Sequence, residues 1–333
     1  MWQLRFAVSA ALACCALLMA SFGSAYADEK ESFDCRLLAT QERPGSSIAW
    51  LRYSLKASHC YIFQAHAVRI SREGVQSMAL SHDIRDGIVY EVANYLDGPP
   101  AVHKRHGRLG AASRQAMQSF PKPILSRVEK HYHIALVGEE RIADRVSVRL
   151  DIEPLDNLRY GHRLWLDRQT GLPLKRVLID GNGQVLETFQ MTRLESPELY
   201  QDAITFASPR ETSSGPWQTG WLPPGYLRLP SYSALGVEKS PMGHYLYSDG
   251  LSSFSLFIEP LEETGDTLLP GLHRLGVSHA VVRHLRLGEQ IMQIVVMGEV
   301  PPRVLGRVAA RLGYDPAMSQ ASRAATEATA EKP

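Results

Sequence analysis

Between residues 133 and 194 the chain offers five strand-length runs joined by turns too short to hold a crossover helix. The runs are 133–138, 145–153, 160–166, 174–180 and 185–192. Asp167-Arg168-Gln169-Thr170-Gly171 and Asp180-Gly181-Asn182-Gly183 join the last three, and Gly-bearing turns of this length make antiparallel hairpins. Parallel strands would need a connection of about a dozen residues. An antiparallel meander is therefore expected, with one face free to pack on helices or to hold a ligand.

Upstream, residues 61–71, 75–82 and 88–96 read as further strands, broken at Arg72-Glu73-Gly74 and Asp86-Gly87, with a strong turn at Asp97-Gly98-Pro99-Pro100. Ser46 or Ser47 is placed to cap a helix whose Ile48, Leu51 and Leu55 share a face. Residues 28–47 are polar and read as a flexible leader. Residues 104–130 are basic and poorly periodic, hence loop with some helix. Turn formers at 195–216 read as a linker, after which a smaller block begins. Its strands are expected at 245–248, 253–259 and 291–298. Pro301-Pro302 then opens a helix with an apolar stripe of Val304, Leu305, Val308, Ala309 and Leu312, while Arg303, Arg307 and Arg311 fall opposite. Residues 314–333 have little to bury and read as a disordered tail.

The N-terminus adds an address. Arg5, an uncharged apolar run over 6–19, and Ser24-Ala25-Tyr26-Ala27 form the three parts of a cleavable signal peptide spanning 1–27. The run is shorter than the roughly 20 residues that span a bilayer. About 300 residues remain, enough for two domains. With 36 Lys and Arg against 35 Asp and Glu, the chain has no charge excess that would recruit nucleic acid. Cys14 and Cys15 leave with the signal. Cys35 and Cys60 reach a compartment where disulfides persist, and the sequence leaves open whether they pair or stay as two thiols.

Catalytic spacing is not evident. HExxH, GxSxG and a Gly-rich phosphate loop are missing from the sequence, so no enzyme activity and no cofactor are expected. His131-Tyr132-His133 would put two imidazoles on one strand face, but a metal needs a third ligand that nothing nominates, so no metal is expected. The arginine stripe reads first as a solvated helix face and second as a contact for an anionic partner. Trp217 and Trp221 read as packing anchors.

Several motifs together resemble one family. Arg141-Ile142-Ala143-Asp144-Arg145, Tyr160-Gly161-His162-Arg163-Leu164-Trp165-Leu166-Asp167 and Thr170-Gly171-Leu172-Pro173 are similar to the RseB/MucB regulators of Gram-negative bacteria. So are Gly183-Gln184-Val185-Leu186-Glu187-Thr188-Phe189, Trp221-Leu222-Pro223-Pro224-Gly225, Leu246-Tyr247-Ser248-Asp249-Gly250-Leu251-Ser252-Ser253-Phe254-Ser255 and Gly298-Glu299-Val300-Pro301-Pro302.

The resemblance implies an α+β periplasmic protein. Residues 48–194 would form a LolA/LolB-like antiparallel half-barrel with covering helices, and 217–313 a smaller C-terminal α+β domain. It implies a partner, the periplasmic domain of an RseA/MucA-like anti-sigma factor, shielded from the site-1 protease until lipid or lipopolysaccharide loosens the grip. A homo-oligomer is a further expectation to test. For that lipid the candidate lining, with faces read from alternation, is Phe63, Val148, Leu150, Trp165, Val177, Ile179 and Phe189, and the candidate partner contacts are placed in the second domain at Tyr247, Asp249, Phe254 and Arg303. The alternative is a LolA-type lipid or lipoprotein carrier, against which the second domain argues. A periplasmic hydrolase is disfavoured by the missing nucleophile–base pattern.

Overall fold

The computed structural model describes residues 32–98, 102–107, 122–205, 216–229, 243–261 and 268–315. The signal segment 1–27 and all but the first two residues of the tail at 314–333 fall outside them. A nine-stranded antiparallel sheet dominates. Its spatial order is β5-β4-β3-β2-β10-β9-β8-β7-β6. The strands are β2 (Tyr61–Ser71), β3 (Gly74–Arg85), β4 (Ile88–Tyr95), β5 (Val102–Gly107), β6 (Tyr132–Ile142), β7 (Arg145–Pro154), β8 (Gly161–Asp167), β9 (Pro173–Ile179) and β10 (Val185–Leu199). Every strand lies beside its sequence neighbour except at the β2–β10 junction, where two meanders meet. The two end strands do not bond each other, so the sheet is an open half-barrel. The expected α+β class and half-barrel are the fold found.

Helices cover one face of this sheet. Residues Leu37–Thr40 form α1, Ser47–Cys60 form α2, and Lys122–His131 form α3. Helix α2 starts where Ser46 sits in extended backbone and its hydroxyl accepts the Ala49 N–H at 3.3 Å. Trp50, Leu51, Tyr53 and Ala57 then bury against Val148, Leu150, Ile152 and Leu166 in the principal core.

The expected flexible leader is structured from Ser32 onward. Residues Ser32–Asp34 form β1, paired antiparallel with β11 (Ala203–Thr205), and a Cys35–Cys60 disulfide ties the segment to the end of α2. Polar composition argued for looseness, but a covalent tie and backbone pairing override it. The expected linker also begins later than 195. Strand β10 continues to Leu199, opposite Tyr61, so residues 195–199 extend the first sheet, 203–205 form β11 against β1, and 206–215 lie outside the described residues.

The second sheet has six strands in the order β13-β14-β15-β18-β17-β16. They are β13 (Leu227–Arg228), β14 (Gly243–Ser248), β15 (Ser253–Pro260), β16 (Gly271–Leu275), β17 (Ser278–Leu287) and β18 (Gln290–Gly298). Helix α4 (Pro302–Ala310) lays Val304, Leu305, Val308 and Ala309 on it, with Pro302 in its first turn. A short pair, β12 (Trp217–Thr219) with β19 (Leu312–Tyr314), closes the block, and Trp217 packs edge-on against Tyr314.

Candidate functional site

Strand register decides which nominated lipid residues can act together. Leu150 opposes Leu164, Leu164 opposes Arg176, and Arg176 opposes Phe189, which in turn opposes Arg69. Directly opposed residues project to the same side of a sheet, so Leu150, Val148, Phe189 and Phe63 share one face. Val148 and Leu150 pack under α2. Phe63 stacks on His82, with ring centres 5.3 Å apart. Trp165 is opposite Arg149 and Lys175 and projects the other way, together with Val177 and Ile179. Arg149 and Lys175 lie over its ring, and its indole N–H donates to Glu140 at 2.8 Å. Val148 and Leu150 are buried in the core under α2, Trp165 and Val177 in an adjoining cluster against which Ile179 and Phe189 pack, and Phe63 packs against both. A strand with one tryptophan gives no sign of which side its indole takes when charged neighbours cover it.

The nominated partner contacts lie at the seam where the two sheets meet. Tyr247 and Phe254 stack at 5.1 Å inside the second core, and Asp249 is buried. Only Arg303 is exposed, and its guanidinium donates to the backbone carbonyl of Asn157 in the β7–β8 loop. Tyr247, Asp249 and Phe254 thus serve contacts within the chain.

The centre of that seam is Arg159, a residue the sequence did not nominate. Its side chain is 0% exposed. The guanidinium lies between the rings of Tyr132 and Tyr226, 5.4 Å from each centre, and donates to the carbonyl of Pro224 at 2.5 Å. Asp249 stands 3.5 Å from Nε and Asp156 3.5 Å from Nη2. Asp249 also accepts the Tyr132 hydroxyl at 2.8 Å and the backbone N–H groups of Leu251 and Ser252 at 3.0 and 2.9 Å. Tyr226 and Ser252 share a further hydroxyl hydrogen bond. Burial beside Asp249 pushes both phenols well above the ordinary tyrosine range, so both remain neutral donors.

Packing continues around this network. Tyr160 and Leu178 of the first sheet meet Val277 in the β16–β17 turn. Arg176 pairs with Glu299 at 3.4 Å, and Leu251 packs into the first core. Gly225 has φ +86°, and a Cβ there would stand 2.4 Å from the His131 ring. His131 therefore ends α3 as a packing surface, while His133 begins its own course on β6. Among the described residues no group of three His, Cys, Asp or Glu side chains is placed to hold a metal. Chemically, the seam is an arginine ion-paired with a carboxylate and set between two phenols, with the phenols, the carboxylate and a serine hydroxyl joined by hydrogen bonds. It fixes two sheets in one register.

Two antiparallel sheets, one an open half-barrel under helices, riveted by a buried polar network, define a binding scaffold. The chain belongs to the MucB/RseB family. The family's N-terminal domain model matches residues 46–212 and its C-terminal domain model residues 211–313. The sigma factor AlgU regulatory protein MucB of Pseudomonas aeruginosa is 32% identical over 292 residues, covering 81% of this chain and 91% of that one. The sigma-E factor regulatory protein RseB of Escherichia coli is 24% identical over 296 residues, covering 81% and 91%. A chain of the solved Pseudomonas aeruginosa MucA/MucB complex superposes with a TM-score of 0.58 at 30% identity, covering 81% of this chain and 99% of that one. The curated relatives are named as regulatory proteins. No described helix is long and apolar enough to cross a membrane.

Proposed function

We propose that this protein is exported by its first 27 residues and works in the periplasm. There it binds the periplasmic domain of a transmembrane anti-sigma factor and shields it from site-1 proteolysis. The observation that carries this reading is likeness over both domains to MucB, which is solved in complex with MucA(peri). The residues of the quoted motifs, Asp249, Ser252, Pro224 and Gly225 among them, build the seam that holds the two domains together. A binding surface that draws on both domains needs such a rivet.

Lipid or lipopolysaccharide is the releasing ligand in this reading, held near Phe63, which packs against both the Val148 and Leu150 core and the cluster of Trp165, Val177, Ile179 and Phe189. Binding there acts on the grip through the seam, because Tyr132 and Arg159 bracket the same sheet.

The test uses the exported chain and the periplasmic domain of Pseudomonas aeruginosa MucA. Affinity capture is expected to retain the complex, and the captured domain is expected to resist site-1 protease. Lipopolysaccharide is expected to reverse both. Failure to capture the domain, with or without lipid, would overturn the reading.

A further inference from the structure

Among the described residues, each large sheet ends in strands with no strand paired on the outer side, and such edges are usually guarded. Strand β6 is guarded by a bulge between Leu136 and Gly138 and by the exposed charges of Glu139, Glu140 and Arg141. The sequence of β5 is His103-Lys104-Arg105-His106 between its end residues, and β13 is two residues long. Strand β16 is longer than β13 and has no bulge, and its one exposed charge is Arg274. Among the described residues nothing pairs with its outer side, and it is regular against β17 throughout. Leu269, Leu272 and Leu275 are 75%, 59% and 53% exposed along it.

This edge is also preformed. The segment entering it is fixed by His273 and His284 side chains on the carbonyls of Leu269 and Leu268, at 2.7 and 3.1 Å, and by the Leu268 N–H on Gln293 at 2.8 Å. The two-residue turn Gly276-Val277, with Gly276 at φ +66°, closes on the pair Leu275–Ser278. A closing pair of this kind exchanges both hydrogen bonds, so alternation turns the N–H and C=O of Leu272 and Arg274 outward. Residues 268–288 carry Arg274, Arg283, Arg286 and three histidines, and no Asp or Glu. An apolar edge in a cationic hairpin fits an extended strand with apolar and acidic side chains.

We propose that β16 receives an extended, acidic segment of the anti-sigma factor's periplasmic domain as a seventh strand of the second sheet. This rests on the functional reading above and adds the surface and the mode of contact. Main-chain hydrogen bonds to Leu272 and Arg274 supply affinity, and the leucines supply selectivity.

The experiment measures binding of the MucA periplasmic domain to the exported chain and its variants. Leu272→Glu with Leu275→Glu is expected to weaken binding at least about tenfold, through lost apolar burial and like charge. Leu155→Glu, an equally exposed leucine on the first sheet's β7–β8 loop, is expected to leave binding unchanged. Leu272→Pro removes an outward N–H and is expected to act like the double variant; if it unfolds, the double variant decides. Hydrogen exchange at Leu272 and Arg274 is expected to slow in the complex. Equal binding by wild type and double variant would overturn the β16 proposal and leave the function standing. No binding by wild type would remove the function and this proposal together. Glutamates that split a dimer of this chain while partner binding persists would assign the edge to a second copy, and overturn it too.

Discussion

At the scale of single residues, the seam is where one substitution should do most harm. Arg159 is wholly buried beside Asp249, whose carboxylate also accepts from the Tyr132 hydroxyl and two backbone amides. Removing one member of a buried ion pair leaves the other desolvated without compensation, which costs about 3–5 kcal/mol. Arg159→Ala is therefore expected to lower the urea midpoint by that amount, and an unchanged midpoint would show the pair to be dispensable. Gly225→Ala meets the His131 ring in backbone that disfavours side chains, and is expected to cost more than about 1 kcal/mol in the same measurement. The sequence marked Gly225 as a member of a shared motif and Asp249 as a motif member and candidate partner contact, neither as part of a seam. Arg159 gave no signal, because an arginine beside an Asp-Asn-Leu turn looks solvated until a second sheet closes over it.

At the scale of elements, local pattern was a good guide where each element decides its own conformation. The turns at 167–171 and 180–183 hold hairpins, Ser46 caps α2, and the α4 stripe faces its sheet. Pattern failed where a distant partner decides. Residues 32–40 form β1 and α1 because β11 and Cys60 hold them, and both lie far along the chain or across the fold. The disulfide closes a separation of 25 residues, for which loop-closure entropy gives about 3 kcal/mol. Replacing both cysteines by alanine is expected to lower the thermal midpoint, and wild type in reductant should approach the variant once the bond is reduced. An unchanged midpoint would mean that β1 and α1 add nothing to global stability. The β16–β17 hairpin was missed as well, since its alternation is interrupted by histidines and arginines that the fold places at an edge.

For the whole molecule, buried imidazoles set an acid limit. His59 and His162 are held neutral by desolvation, each with its pKa pushed down to about 3, with His82 adding to the effect on His59 and Arg176 on His162. His82 is lowered too, chiefly by burial. Their unfolded values lie near 6.5, so between about 6.5 and 3 the unfolded chain binds protons that the folded chain cannot. Stability from these groups is complete above pH 6.5 and falls as pH drops through that window, by up to about 1.4 kcal/mol per pH unit for each histidine. Urea midpoints measured from pH 7 to 4 are expected to fall. His162→Gln should flatten the slope by about one proton, and a parallel slope would show that His162 does not contribute.

Sequence alone determined the antiparallel meander, the capped and amphipathic helices, and a family resemblance that covers both domains, because periodicity, turn chemistry and motif order are written locally. It could nominate apolar residues for a lining, but their faces followed from register and bulges set between strands. Val148 and Leu150 ended in the core under α2, Trp165, Val177, Ile179 and Phe189 in an adjoining cluster, and Phe63 against both. The rivet of Arg159, Asp249, Tyr132 and Tyr226 exists only once two sheets have docked. Those groups come from chain positions up to 117 residues apart, and their charge and hydroxyl chemistry makes sense only when water has been excluded from between them.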